Sequence, residues 1–180
     1  CSSYWKVLTT LKPEKLRSSF STYWSISKKT VFLNHGSFGA CPAEVSKHRK
    51  SLIDEFDSQP VEFLLRKYVP AIPEILKQLE EFAGASPGSV VLVPNATTGV
   101  NSVLSNLRFK PGDELITTGQ EYFATRNALQ FYADKNGAKV VEVPISVPAT
   151  GPEQVIDSIM SRITDRTVLL LVDNISSTTG

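Results

Sequence analysis

Asn95-Ala96-Thr97-Thr98-Gly99-Val100-Asn101 is the stretch whose reading decides the fold. Before it runs Ser89-Val90-Val91-Leu92-Val93, apolar and rich in β-branched residues, which predicts a buried parallel strand over Val90–Val93. After it, Val100, Val103, Leu104 and Leu107 are spaced for one face of a helix over Ala96–Leu107. Pro94 stops the strand, and Asn95 belongs to the residue types that cap helix N-termini best. The turn thus presents unpartnered N–H groups at the positive end of a helix dipole. Thr97 and Thr98 add hydroxyls, so an anion such as a phosphate would be held well there. An ordinary crossover helix has such a turn too, so the reading needs support elsewhere in the chain. Asn95-Ala96-Thr97 and Asn174-Ile175-Ser176 also match glycosylation sequons, which are common by chance.

The bounds are simple. A chain of 180 residues buries roughly 70% of its unfolded surface, enough for a real core. With 19 basic and 18 acidic residues and no long run of either sign, nothing points to nucleic acid or an anionic membrane. Cys1 and Cys41 are too few for a disulfide framework, and with His35 and His48 they show no metal-ligand spacing. No apolar run approaches the length of a membrane span. A soluble cytoplasmic protein is the default these bounds leave.

Residues 1–30 are mixed and polar with scattered aromatics, which predicts a helical arm of one or two short helices. Val31-Phe32-Leu33 is a short extended run, and two glycines and a proline in Asn34–Pro42 mark a shaped loop. Pro42 suits the first turn of a helix through about Asp57, ended by Gln59-Pro60. Val61–Tyr68 reads as a short helical or irregular piece. A clear helix follows from Pro73, with Ile75, Leu76, Leu79 and Phe82 on one face and Gly84 as its stop.

From there strands alternate with helices. The expected strands are Val90–Val93, Glu114–Thr117, Lys139–Val143 and Thr167–Val172, and the helices are Ala96–Leu107, Tyr122–Lys135 and Pro152–Ile163. Such alternation predicts an α/β fold, a mostly parallel sheet covered by helices, with an arm and first helix in 1–60 and the sheet domain in 61–180. In such sheets ligands bind beyond the carboxyl ends of the strands. Asn95–Gly99, Thr118–Tyr122 and Asp173–Gly180 all meet that description.

Two phosphate motifs are absent. No G-x-G-x-x-G follows a strand, and there is no G-x-x-x-x-G-K-[ST]. The residues instead resemble a family. Phe32-Leu33-Asn34-His35-Gly36-Ser37-Phe38-Gly39-Ala40-Cys41-Pro42 resembles the opening loop of the class V aminotransferase superfamily, in its isopenicillin N epimerase-like and cysteine desulfurase-like branch. Val93-Pro94-Asn95-Ala96-Thr97-Thr98-Gly99-Val100-Asn101 is similar to that branch's phosphate turn. Pro111-Gly112-Asp113-Glu114, Glu121-Tyr122-Phe123-Ala124 and Asn174-Ile175-Ser176-Ser177-Thr178-Thr179-Gly180 follow in the family's order.

The resemblance implies the N-terminal part of the large domain of a fold type I enzyme, a three-layer α/β/α sandwich that uses pyridoxal 5′-phosphate on an amino acid substrate. Ala96 and Thr97 would hold the phosphate, Tyr122 would stack on the pyridine ring, and Ser177 would lie near the pyridine hydroxyl. Asn34, His35 and Gly36 would line the substrate side. It also implies a homodimer in the full-length protein. The relatives' Asp and His before the aromatic position are Gly119 and Gln120 here. The family's Schiff-base lysine and its aspartate for the pyridine nitrogen are expected beyond Gly180, so no catalytic residue and no metal ligand is assigned within the chain. Epimerisation, carbon–sulfur cleavage and transamination all stay open. The alternatives are a non-catalytic α/β module retaining only an anion-binding turn, and a flavodoxin-like domain for another phosphorylated ligand.

Overall fold

Leu115 and Ile116 have no exposed surface, and all five residues of their strand are buried. The strand is β1, Glu114–Thr118, the middle of a three-stranded parallel sheet. On one side lies β2, Lys139–Val143, and on the other β3, Thr167–Leu170. A central strand is covered on both faces, so its sequence reads as a continuous run rather than alternating with polar residues. The edge strands β2 and β3 are more exposed, and in β3 this leaves Val168 and Leu170 partly open.

The computed structural model describes residues 18–179, so the first part of the expected N-terminal arm lies outside the described residues. The chain divides into two compact units, Cys1–Val90 and Val91–Gly180. In the first, a 3-10 helix covers Ser19–Tyr23, and the loop that follows closes through a helical turn, His35–Phe38. Trp24 fastens this loop by pairing with Pro42 and donating its indole N–H to the Ala40 carbonyl at 2.9 Å.

Helix α1, Ala43–Ser58, has the expected extent. Beyond Gln59 the expected short piece and the expected helix from Pro73 are one helical run. Pro60–Glu62 leads into π-helical Phe63–Tyr68, and α2 follows as Val69–Ala83 with Pro73 inside it. The widened π turn sets the Val69 N–H on the Leu64 carbonyl, five residues back. Gly84 ends α2 in the left-handed conformation expected of it.

The second unit runs α3 (Ala96–Asn106), β1, α4 (Phe123–Asn136), β2, α5 (Pro152–Met160), β3. Its core joins α3, α4 and β1 through Leu104, Phe109, Leu115, Ala128, Leu129 and Ala133. Of the expected apolar face of α3, Leu104 is buried and Val100 packs on the cluster, whereas Val103 is exposed.

One expected strand is corrected. Val90–Val93 has no strand structure, and Val91 is 76% exposed. A β-branched run favours the extended backbone, but a strand exists only through ladder bonds to a neighbour. Among the described residues no strand pairs with this run.

Helix α4 ends at Gly137, φ +70°, where the Ala138 N–H closes on the Ala133 carbonyl at 2.9 Å. A Cβ there would meet Pro111 at 3.4 Å as well as take up the left-handed backbone. Gly137→Ala should therefore destabilise the protein by about 1–2 kcal/mol. A lower denaturation midpoint with an unchanged denaturant slope is the expected result.

Candidate functional site

Asn95 caps α3 as its sequence suggests. Its Oδ1 accepts the Thr98 N–H at 2.8 Å and the Thr98 hydroxyl at 3.0 Å, and its carbonyl takes the Gly99 N–H. The Gly99 bond is the first of the helix ladder, so the cap satisfies one of the four orphan N–H donors of the helix start, that of Thr98. Of the other three, the N–H groups of Ala96 and Thr97 have no acceptor among the described residues, nor has the Thr97 hydroxyl a partner. Thr98, by contrast, is fully engaged in the cap. The free donors are thus two adjacent N–H groups and one hydroxyl at the positive end of an 11-residue helix.

Tyr122 is the residue before α4, just past the carboxyl end of β1. The residue is 39% exposed, and its ring is tilted against Phe123 with centroids 4.8 Å apart. It is therefore not a core aromatic. Ser177 lies in the exposed turn after β3. That turn is tied back to the segment after β1, because the Thr178 hydroxyl donates to the Gln120 side-chain oxygen. The Thr179 hydroxyl donates to Ser176 at 2.9 Å within the turn. The structure thus brings the segments carrying Tyr122 and Ser177 together at the carboxyl ends of β1 and β3, and α3 packs on α4.

In the first unit, Asn34 precedes the helical turn and makes no side-chain cap. The His35 ring packs edge-on against Phe32 at 4.7 Å and tilted against Trp24 at 5.4 Å. Gly36 has open space around it.

A cavity of about 550 Å³ opens under the β2–α5 connection, between Ile145, Val147 and Ile159 on one side and Thr118, Asp173 and Asn174 on the other. None of Ala96, Thr97, Tyr122 and Ser177 lines it. It offers no cation and no helix N-terminus, and it includes the carboxylate-bearing Asp173. A phosphate would not be drawn into such a wall.

Sequence reasoning missed one feature. Glu121 is 6% exposed, and three buried side-chain oxygens lack a partner among the described residues: Thr117 Oγ1, Glu121 Oε2 and Asp173 Oδ2. Burial pushes the Glu121 carboxyl above its ordinary range, against a lowering bond from Thr125; the charge and hydrogen bond of Asp173 raise it further, and a bond from the Tyr122 N–H lowers it. Glu121-Tyr122 stood in a matched motif, yet nothing in sequence ties it to a residue 52 positions on. Arg126, the nearest cation along α4, is paired with Glu142 at 3.1 Å. No group of three or more His, Cys, Asp or Glu among the described residues is placed to hold a metal ion, and no helix there is long and apolar enough to cross a membrane.

The family model described as aminotransferase class-V matches residues 63–180. A putative L-cysteine desulfhydrase 2 of Oryza sativa subsp. japonica is 30% identical over 132 residues, covering 69% of this chain and 28% of that protein. Isopenicillin N epimerase of Amycolatopsis lactamdurans is 27% identical over 160 residues, covering 87% of this chain and 40% of that protein. The chain thus spans well under half the length of these relatives. A solved mutant of C-DES with glycine covalently linked to its PLP cofactor superposes with a TM-score of 0.68 at 17% identity, over 77% of this chain and 36% of that one. At that identity the likeness shows the fold, which is that of the α/β pyridoxal-phosphate enzymes.

Proposed function

This chain belongs to the class-V aminotransferase family, and on that premise we propose that it forms the phosphate-holding portion of a pyridoxal 5′-phosphate enzyme acting on an amino acid. The observation that carries the reading is the helix start at Ala96-Thr97. Its two free N–H groups and free hydroxyl fit a phosphate, whereas the neighbouring donors are already used by Asn95. When bound, pyridoxal phosphate supplies the electron sink for bond breaking at the amino acid's α-carbon.

The chain's own residues bind and orient. The Ala96 and Thr97 N–H groups and the Thr97 hydroxyl donate to the phosphate, with the dipole of α3 behind them. The Tyr122 ring would stack on the pyridine ring, and the Ser177 hydroxyl would bond the pyridine hydroxyl. The substrate role of Asn34, His35 and Gly36 rests on the resemblance of their segment alone. Carbon–sulfur cleavage of a cysteine derivative is the reaction type we favour, since the first-mentioned relative carries a desulfhydrase name. Sulfide release from L-cysteine by the whole protein, against epimerised or transaminated product, separates the three types.

Binding is read by titrating pyridoxal phosphate and following its visible absorption. Stacking is worth roughly 0.5–1.5 kcal/mol beyond burial. Tyr122→Ala should therefore weaken binding by about two- to tenfold and shift the bound absorption band, while Tyr122→Phe should do neither. A whole protein whose titration shows no saturable change would overturn the reading.

A further inference from the structure

Glu121 and Asp173 lie at the carboxyl ends of the neighbouring strands β1 and β3, each on the segment that leaves its strand. Their carboxyl groups are within hydrogen-bonding reach of each other. Glu121 Oε1 accepts the Thr125 hydroxyl at 2.6 Å, which leaves Oε2 over. Oε2 and Asp173 Oδ2 are both buried and neither has a donor. Two ionised carboxylates cannot satisfy one another, because each only accepts. Left so, the two charges would repel, with both orphaned oxygens shielded from solvent.

Neutralisation has to come from a cation or a proton. Asp173 is the one titratable side chain acting on Glu121 among the described residues, and Arg126 is occupied by Glu142. The Thr125 hydroxyl and the Tyr122 N–H both donate to the Glu121 carboxyl, and neither carries a charge. A single proton between the two carboxyls gives both orphaned oxygens a partner.

We propose that Glu121 is a positioning residue: its carboxyl holds a proton on Oε2 and donates it to Asp173 Oδ2. One carboxyl–carboxylate bond then carries a net charge of −1 where two separate carboxylates would carry −2. The bond fastens the 173–179 segment, with Ser177, beside the start of α4, with Tyr122. It acts alongside the Thr178–Gln120 bond, but unlike that bond it depends on pH. Its consequence for the cofactor rests on the pyridoxal-phosphate reading of the site; the clasp itself does not.

The sign of the pH dependence follows. The folded chain holds the Glu121 proton above the ordinary value of 4.5, so it binds more protons than the unfolded chain between 4.5 and the raised folded value. The contribution to stability is complete below 4.5 and is lost as pH rises through the folded value.

The test uses the cofactor-free whole protein first. An infrared titration should show a protonated carboxyl band persisting above pH 4.5 that is missing in Glu121→Gln. Pyridoxal phosphate affinity is then measured against pH. Wild type should bind less well as pH rises past the loss of that band. Glu121→Gln, whose amide N–H reaches Asp173 at every pH, should match the low-pH wild-type affinity within about twofold and lose that limb. Glu121→Ala should bind about tenfold more weakly at low pH. Absence of the band overturns the clasp whatever the affinities are, as does a Glu121→Gln profile identical to wild type. A band that is present in a protein that never binds the cofactor supports the clasp and overturns the functional reading instead.

Discussion

Thr97→Ala should lower the affinity for pyridoxal 5′-phosphate by about one to two decades. Among the described residues the Thr97 hydroxyl has no partner, and neither has its own N–H nor that of Ala96 beside it. A hydrogen bond to a charged acceptor is worth roughly 1.5–3 kcal/mol, and every 1.4 kcal/mol is about tenfold. Since no internal bond is broken, stability should change little. Thr97→Ser should restore most of the affinity. Thr118→Ala, at the end of β1 and outside the phosphate turn, should bind nearly as wild type does. If Thr118→Ala loses affinity while Thr97→Ala keeps it, the phosphate belongs on the other turn.

Leu129→Ala should destabilise the second unit by about 2–5 kcal/mol. Leu129 has no exposed surface and packs in the cluster that joins α3, α4 and β1. Truncation removes its transfer energy and leaves a cavity that a rigid strand and two helices refill only in part. Stability is read by denaturant unfolding. Phe131→Ala, two residues on and 60% exposed, is the control and should stay within about half a kcal/mol. Equal losses for both would mean that the core has been placed on the wrong face of α4.

How far the chain could be read from its residues depended on the range of the forces involved. The Asn95 cap, the Gly84 stop and the alternation from β1 to β3 are local, set by residues within a turn or two, and they were legible. Lys139–Val143 was expected residue for residue. The π-helical Phe63–Tyr68 was not, since a register change within a helix leaves the apolar spacing almost as it was. Val90–Val93 failed for the opposite reason: its composition is that of a strand, but pairing is a property of two segments. The phosphate turn was legible as a capped helix start, and the structure adds which donors the cap uses up. The Glu121–Asp173 contact was invisible because it depends on the register of two strands far apart in sequence.

The central claim is that the Ala96-Thr97 helix start grips the phosphate rather than another part of the cofactor. The direct measurement compares the affinities of pyridoxal phosphate and of phosphate-free pyridoxal, for wild type and for Thr97→Ala. The account predicts that the preference for the phosphorylated form falls by about one to two decades in the variant while pyridoxal itself binds equally to both. An unchanged preference, with both ligands weakened alike or neither weakened, would contradict it.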